Sequence, residues 1–248
     1  MREYIISDNE AGQRFDKYLA KLFKNAPSGL IFKQLRGKNI TLNKAKAKGN
    51  EKLKVKDVVQ VFMADDTIDK FTGNRVNDIK IYENMPFNVV YEDGNIIIAD
   101  KCAGVLSQKA KPSDISMNEL LLSYLIKSNR SGNISMAFTP AFCNRLDRNT
   151  SGLMIAGISL AGSQKMSELI KTREIEKYYL AVVYGRVEHA GRISGYIKKD
   201  AASNKVTIDD NPDDGDYIDT EFEPLEYDDC LTPVSYTHLR AHETTLHL

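Results

Sequence analysis

The chain has 248 residues, with 34 Lys and Arg against 34 Asp and Glu, 42% hydrophobic and 27% charged. That is enough for one large or two smaller globular domains, and it excludes collagen-like, coiled-coil and wholly disordered chains. No apolar run approaches the ~20 residues that span a bilayer, and Met1–Tyr4 opens no secretory signal. Three cysteines (Cys102, Cys143, Cys230) lack metal-ligand spacing, and three of the four histidines fall in the last eleven residues. Both facts point away from a bound metal, the odd cysteine count fits a reducing cytoplasm without structural disulfides, and the lack of a long apolar run argues against a membrane partner.

Zero net charge arises by cancellation. Arg14 to Lys56 holds thirteen Lys and Arg against Asp16 and Glu51, whereas Asp200 to Cys230 holds twelve Asp and Glu against Lys205. A dense basic block displaces the counterions condensed on phosphate, so nucleic acid is the leading partner class. In chain order, Phe15, Tyr18, Leu19, Leu22 and Phe23 repeat at helical spacing over 14–25, stopped by Pro27-Ser28-Gly29. A short helix is predicted over Leu30–Leu35, then strands over 39–43 and 55–62. Residues 63–80 are polar and read as a linker. Beyond Ile81 the pattern predicts a buried strand at Ile96–Ala99, a capping box from Ser116 to Glu119 opening a helix to Lys127, an amphipathic helix at Leu160–Lys171 and a strand at Lys177–Val183. The acidic stretch Asp209–Asp219, with Pro212 and Gly215 as turn formers, is expected to be a solvated loop rather than a metal site.

The segments Arg14-Phe15-Asp16-Lys17-Tyr18-Leu19, Leu35-Arg36-Gly37-Lys38-Asn39-Ile40-Thr41-Leu42-Asn43 and Lys56-Asp57-Val58-Val59-Gln60-Val61 together resemble the S-four-like RNA-binding domain. The resemblance implies that Lys33, Arg36, Lys38 and Lys44 line a surface for structured RNA, which is read by shape and backbone contacts.

A second resemblance is more specific. Asn144-Arg145-Leu146-Asp147-Arg148-Asn149-Thr150-Ser151-Gly152-Leu153 is similar to the catalytic segment of RluA-type pseudouridine synthases. Tyr91 through Gly104 resembles that family's strand and K-P-x-G turn. The alternation Arg173, Ile175, Lys177, Tyr179, Ala181, Val183, Gly185 resembles a further strand of the same family. Two departures stand out: Asn144 replaces the usual histidine and Cys102 the usual proline, which removes a turn constraint.

The resemblance implies Asp147 as nucleophile or base at the sugar of a uridine, splitting one hard step into easier ones. It implies Arg145 as the side chain that fills the space of a flipped base, and Tyr179 as the ring that packs on the uracil. Arg145 and Arg148 flank the aspartate and favour its ionised form. Lys101 and Gly104 read as scaffold. The family's chemistry implies neither cofactor nor metal, and a monomer. The paired RNA-binding module favours large-subunit ribosomal RNA as substrate, with transfer RNA as the second candidate.

Thr237-His238 and Arg240-Ala241-His242 echo a later family motif whose arginine pairs with the aspartate, but with one residue fewer between them. Val234–Thr244 also resembles a translated sequencing adapter, so the natural sequence is expected to end near Pro233. The chain as written would then lack central strands and the arginine partner of Asp147. That makes a non-catalytic RNA-binding protein the alternative reading, and a metal-dependent hydrolase a weaker third. The expected fold is α+β. An S-four-like α/β module occupies 1–62, a linker 63–80, and a C-terminally incomplete catalytic domain with a mixed, mainly antiparallel sheet 81–233, leaving 234–248 as a foreign tail.

Overall fold

A computed structural model describes residues 1–72, 79–135, 137–199, 206–209, 216–226 and 230–240. The chain divides into two compact units, Met1–Thr172 and Arg173–Leu248. The fold is α+β, and every pairing between its named strands is antiparallel.

The first unit opens with β1 (Arg2–Ile5), α1 (Phe15–Leu22), α2 (Ser28–Arg36), β2 (Ile40–Leu42), β3 (Ala45–Lys46) and β4 (Val58–Val61). The strands form a sheet of order β1-β4-β2-β3. Phe15, Tyr18, Leu19 and Leu22 bury the apolar stripe of α1 in a core shared with Leu35, Ile40, Val59 and Val61. α1 ends at Leu22, ahead of Pro27 as the stop signal requires, but Ser28 and Gly29 already belong to α2, whose N-cap position Pro27 takes because proline is tolerated where a first turn needs no N–H partner. β1 had no alternation long enough to be read from sequence.

The polar stretch read as a linker carries α3 (Asp65–Thr72). Ile68 and Thr72 are buried one turn apart, with Ile68 in the core of the α1–α2 layer, and Arg2 bridges to Asp65 and Asp69. One buried turn on an otherwise acidic helix is too short to register as apolar periodicity.

The unit continues with β5 (Phe87–Glu92), β6 (Ile96–Lys101), α4 (Met117–Lys127), β7 (Ala141–Phe142), β8 (Gly152–Gly157) and α5 (Leu160–Lys171). Its second sheet has the order β5-β6-β8-β7. Met117, Leu120, Leu121 and Leu125 of α4 pack on Ile97, Ala99, Met154 and Ala156. The capping box forms as its sequence requires: Glu119 accepts from the Ser116 amide at 3.0 Å, and the Ser116 side chain caps the N3 backbone.

The second unit is an antiparallel sheet of β9 (Tyr179–Tyr184), β10 (Gly191–Lys199), β11 (Val206–Asp209), β12 (Asp216–Pro224) and β13 (Leu231–Arg240), in the order β11-β10-β12-β13-β9. Residues 234–240, set aside above as a foreign tail, form most of β13 and pair with both β12 and β9; residues 241–248 lie outside those described. The acidic segment is not one solvated loop. Asp209 and Asp216 sit in strands, 210–215 lie outside the described residues, and Asp219 is buried against the guanidinium of Arg192. A carboxylate on the inward side of a strand needs such a cation, which linear composition does not reveal.

Candidate active site

β7 and β8 are neighbours, and the loop joining them carries Asp147. Its first residues continue the ladder beyond Phe142: the Cys143 amide donates to the Ile155 carbonyl at 2.7 Å. Asn144 then substitutes a side chain for the missing backbone partner. Its Oδ1 accepts from the Ile155 amide at 2.8 Å, and its Nδ2 donates to the Leu153 carbonyl at 3.3 Å. The asparagine thus supplies one donor and one acceptor to the same strand.

Both residues flanking Asp147 are pinned from below. On one side, buried Ser107 takes the Leu146 amide at 3.0 Å and returns its hydroxyl proton to the Leu146 carbonyl. On the other, Arg148 and Gly104 clip together in both directions. The Gly104 amide donates to the Arg148 carbonyl at 2.7 Å, and Arg148 Nε donates to the Gly104 carbonyl at 3.1 Å. Gly104 has φ +89°, a conformation that glycine reaches without a Cβ penalty. The Thr150 amide closes the turn on the Asp147 carbonyl at 3.1 Å. Asp147, Arg145 and Arg148 are all exposed, so the loop presents a carboxylate between two cations on a rigidly held backbone.

Beneath it lies Lys101. Side chains alternate inward along β6 from Ile97 through Ala99 to Lys101, and all three are fully buried. The ammonium donates to the carbonyls of Cys102 (3.1 Å), Val105 (3.0 Å) and Arg148 (3.2 Å), tying the 102–105 turn to the Asp147 loop. Burial pushes the lysine below its ordinary range, a fall that the electrostatic influence of Cys102 and then Asp147 partly opposes. The three bonds are the geometry of a scaffold residue, since the ammonium holds the backbone on both sides of the 102–105 turn and one residue beyond Asp147. Its signal was present in the sequence as the third inward position of an alternating strand. Ser107 had no such signal. Cys102, in place of proline, uses the amide that proline lacks, donating to the Pro86 carbonyl at 3.1 Å.

The structure brings Asp147, Arg145 and Arg148 together on one loop. Tyr179 lies in the second unit, where its ring stacks on Tyr236 with centroids 5.3 Å apart. Lys33 and Arg36 project from the last turn of α2, and Lys38 and Lys44 sit in the two following turns, all four exposed. Among the described residues no cluster of His, Cys, Asp and Glu could hold a metal ion, and no helix is long and apolar enough to cross a membrane.

The model of the RNA pseudouridylate synthase family matches residues 95–247. An uncharacterised RNA pseudouridine synthase of Mycoplasma genitalium is 29% identical over 227 residues, covering 91% of this chain and 69% of that protein. A ribosomal large subunit pseudouridine synthase C of Rickettsia bellii is 28% identical over 229 residues, covering 90% of this chain and 72% of its own length. Among solved structures, human RNA pseudouridylate synthase domain containing 1 aligns with a TM-score of 0.50 at 18% identity, over 65% of this chain and 63% of that one, a likeness of fold alone.

Proposed function

The chain belongs to the RNA pseudouridylate synthase family, and we propose that it isomerises uridines of large-subunit ribosomal RNA in the cytoplasm with Asp147 as the reacting carboxylate. The observation that carries this reading is the doubly pinned loop: Leu146 held by Ser107 and Arg148 held by Gly104 and Lys101, with the Asp147 side chain exposed between them. A nucleophile must be held within a fraction of an ångström of its target, and this backbone holds it before any substrate arrives. The target class is supported by relatives named as ribosomal large subunit enzymes, such as that of Rickettsia bellii.

In this reading the uridine leaves its stack and Arg145 occupies the vacated position. Asp147 attacks the sugar carbon as its bond to the ring nitrogen breaks, the uracil turns, and carbon 5 bonds to the same carbon as the Asp147–sugar bond breaks and the carboxylate is released. The carbon-5 proton is lost to solvent and nitrogen 1 gains one, so the product is an isomer and no redox partner enters. Tyr179 packs on the uracil, and Arg148 neutralises phosphate near the loop. Lys33, Arg36, Lys38 and Lys44 bind structured RNA through its backbone, as counterion release predicts for an exposed basic face.

The test is to incubate the protein with large-subunit ribosomal RNA transcript and map pseudouridine by chemical reactivity. Asp147→Asn should abolish the modification while leaving RNA retention on a filter unchanged. Modification persisting in Asp147→Asn would refute the assignment.

A further inference from the structure

A cavity of about 470 Å³ lies beside the Asp147 loop and shares Arg148 and Gly104 with it. Its other walls come from the 82–86 segment, from Val105 and Leu106, and from Asp114, Ile115 and Leu120 at the start of α4. The walls are tied together. Leu106 bridges to Ser116 and accepts the Met117 amide at 2.8 Å, and the Tyr82 amide donates to Ser123 of α4 at 2.8 Å. The volume falls within the ~300–1,000 Å³ of pockets that enclose small ligands.

The lining sorts the candidates. Tyr82, Pro86, Val105, Leu106 and Ile115 offer flat apolar surface, and Ile115 remains 46% exposed. The two acids in the lining, Glu83 and Asp114, disfavour a phosphate inside. Asp114 spends Oδ2 on the amides of Ala110 (3.2 Å) and Lys111 (2.8 Å), and Glu83 directs one oxygen to Lys127 at 3.3 Å. Their remaining oxygens can only accept. Cations flank the cavity: Arg148 at one wall, and Lys80 Nζ 5.5 Å from the Tyr82 ring centroid. Asn84, also in the lining, can donate or accept, so the two acids set the preference: a neutral flat ring that donates from its edge, on a strand whose phosphates stay outside among the cations, fits these walls.

We propose that this cavity is a second nucleobase site, holding an unstacked base that flanks the target uridine and carries an exocyclic amino group. Adenine, cytosine and guanine donate that amino group to Asp114 or Glu83, whereas uracil turns two carbonyl acceptors towards carboxylates and has only N3–H to donate. The site rests on the RNA-modifying reading above. It extends that reading by giving the enzyme a sequence preference at a neighbouring position, set by a pocket one residue away from Asp147.

The experiment titrates the 15N-labelled full chain with adenosine, cytidine and uridine, neutral nucleosides that the basic face does not attract by charge. Amide shifts should map to Tyr82, Gly104 and Ile115 and saturate at millimolar adenosine or cytidine, with uridine weaker by at least about threefold. Ile115→Glu, a change at an exposed position, should remove the shifts and keep the dispersed spectrum. Asp147→Asn should retain them, so pseudouridylation and nucleoside binding fail or succeed separately. Shifts lying elsewhere, or uridine binding as tightly as adenosine, would overturn the proposal; the wild-type titration decides this even if Ile115→Glu unfolds.

Discussion

The buried Lys101 ammonium donates to the Arg148 carbonyl at 3.2 Å, one residue beyond the exposed Asp147 carboxylate. A fully buried cation with three carbonyl partners carries a large desolvation cost, several kcal/mol in a typical interior. Its three hydrogen bonds return about 1 kcal/mol each, or up to ~3 where the donor is charged. The two sums nearly cancel, so holding the Asp147 loop is a better account of this lysine than stability. Lys101→Met should therefore leave the melting temperature within a few degrees, since ~1 kcal/mol is worth about 2–4 °C at this chain length. Its turnover on ribosomal RNA should fall at least about tenfold with little change in KM. A large loss of melting temperature with normal turnover of the folded fraction would reverse that assignment.

The same lysine has a pH signature. Its native value lies below the ordinary 10.5, so between the two the unfolded chain binds the proton that the native chain has lost. Stability contributed through Lys101 then rises with pH across that window. Below the native value both states are protonated and the burial cost is fully present. The melting temperature of the wild type minus that of Lys101→Met should accordingly climb as pH approaches 10.5. A flat or falling difference would mean that the ammonium is not desolvated.

Ser107 is the counterpart on the other side of Asp147. Ser107→Ala removes both contacts to Leu146 and lets the carboxylate drift. Misplacement by about 1 Å can cost ~100-fold, so turnover should drop between ~10- and ~100-fold while RNA binding is unchanged. Stopped-flow single-turnover measurements separate the two. Weaker RNA binding with normal single-turnover rates would assign Ser107 to the substrate interface instead.

Much of this was legible because particular residues obey local rules. The α1 stripe, the Ser116–Glu119 box and the Asp147 segment each announce themselves within a few residues of chain. What stayed hidden depends on partners far apart in sequence. Arg2 reaches Asp65 and Asp69 on a helix that the sequence showed only as polar. Ser107 meets Leu146 across 39 residues, and Asp219 is neutralised by Arg192 across 27. No window of periodicity spans such distances. Lys101 falls between the two cases, since its inward phase on β6 was readable but its reach to Arg148 was not.

Asn144 stands where relatives of the type resembled carry histidine, and its side chain supplies two bonds to β8. Asn144→Ala should lower the melting temperature by about 2–6 °C, the equivalent of roughly 1–2 kcal/mol for two lost bonds at a half-buried position. Asn144→His, which can place one donor or acceptor at a time on Ile155 or Leu153, should recover part of that loss. Equal melting temperatures for all three chains would show that water replaces the side chain without cost.

Lys38 and Lys44 hold positive φ, +60° and +64°, in the turns after α2 and β2. A lysine there costs about 1 kcal/mol relative to the right-handed region, a penalty glycine does not share. Retaining a charged side chain at a strained position makes sense if the charge has a target. Lys44→Gly should therefore stabilise the chain by up to ~1 kcal/mol in urea unfolding and weaken its hold on structured RNA. Each lost phosphate contact should also flatten the dependence of log affinity on log salt by about 0.7 to 0.9. Greater stability with an unchanged salt slope would show that Lys44 faces only solvent, and the same pair of measurements on Lys38→Gly would decide its neighbour independently.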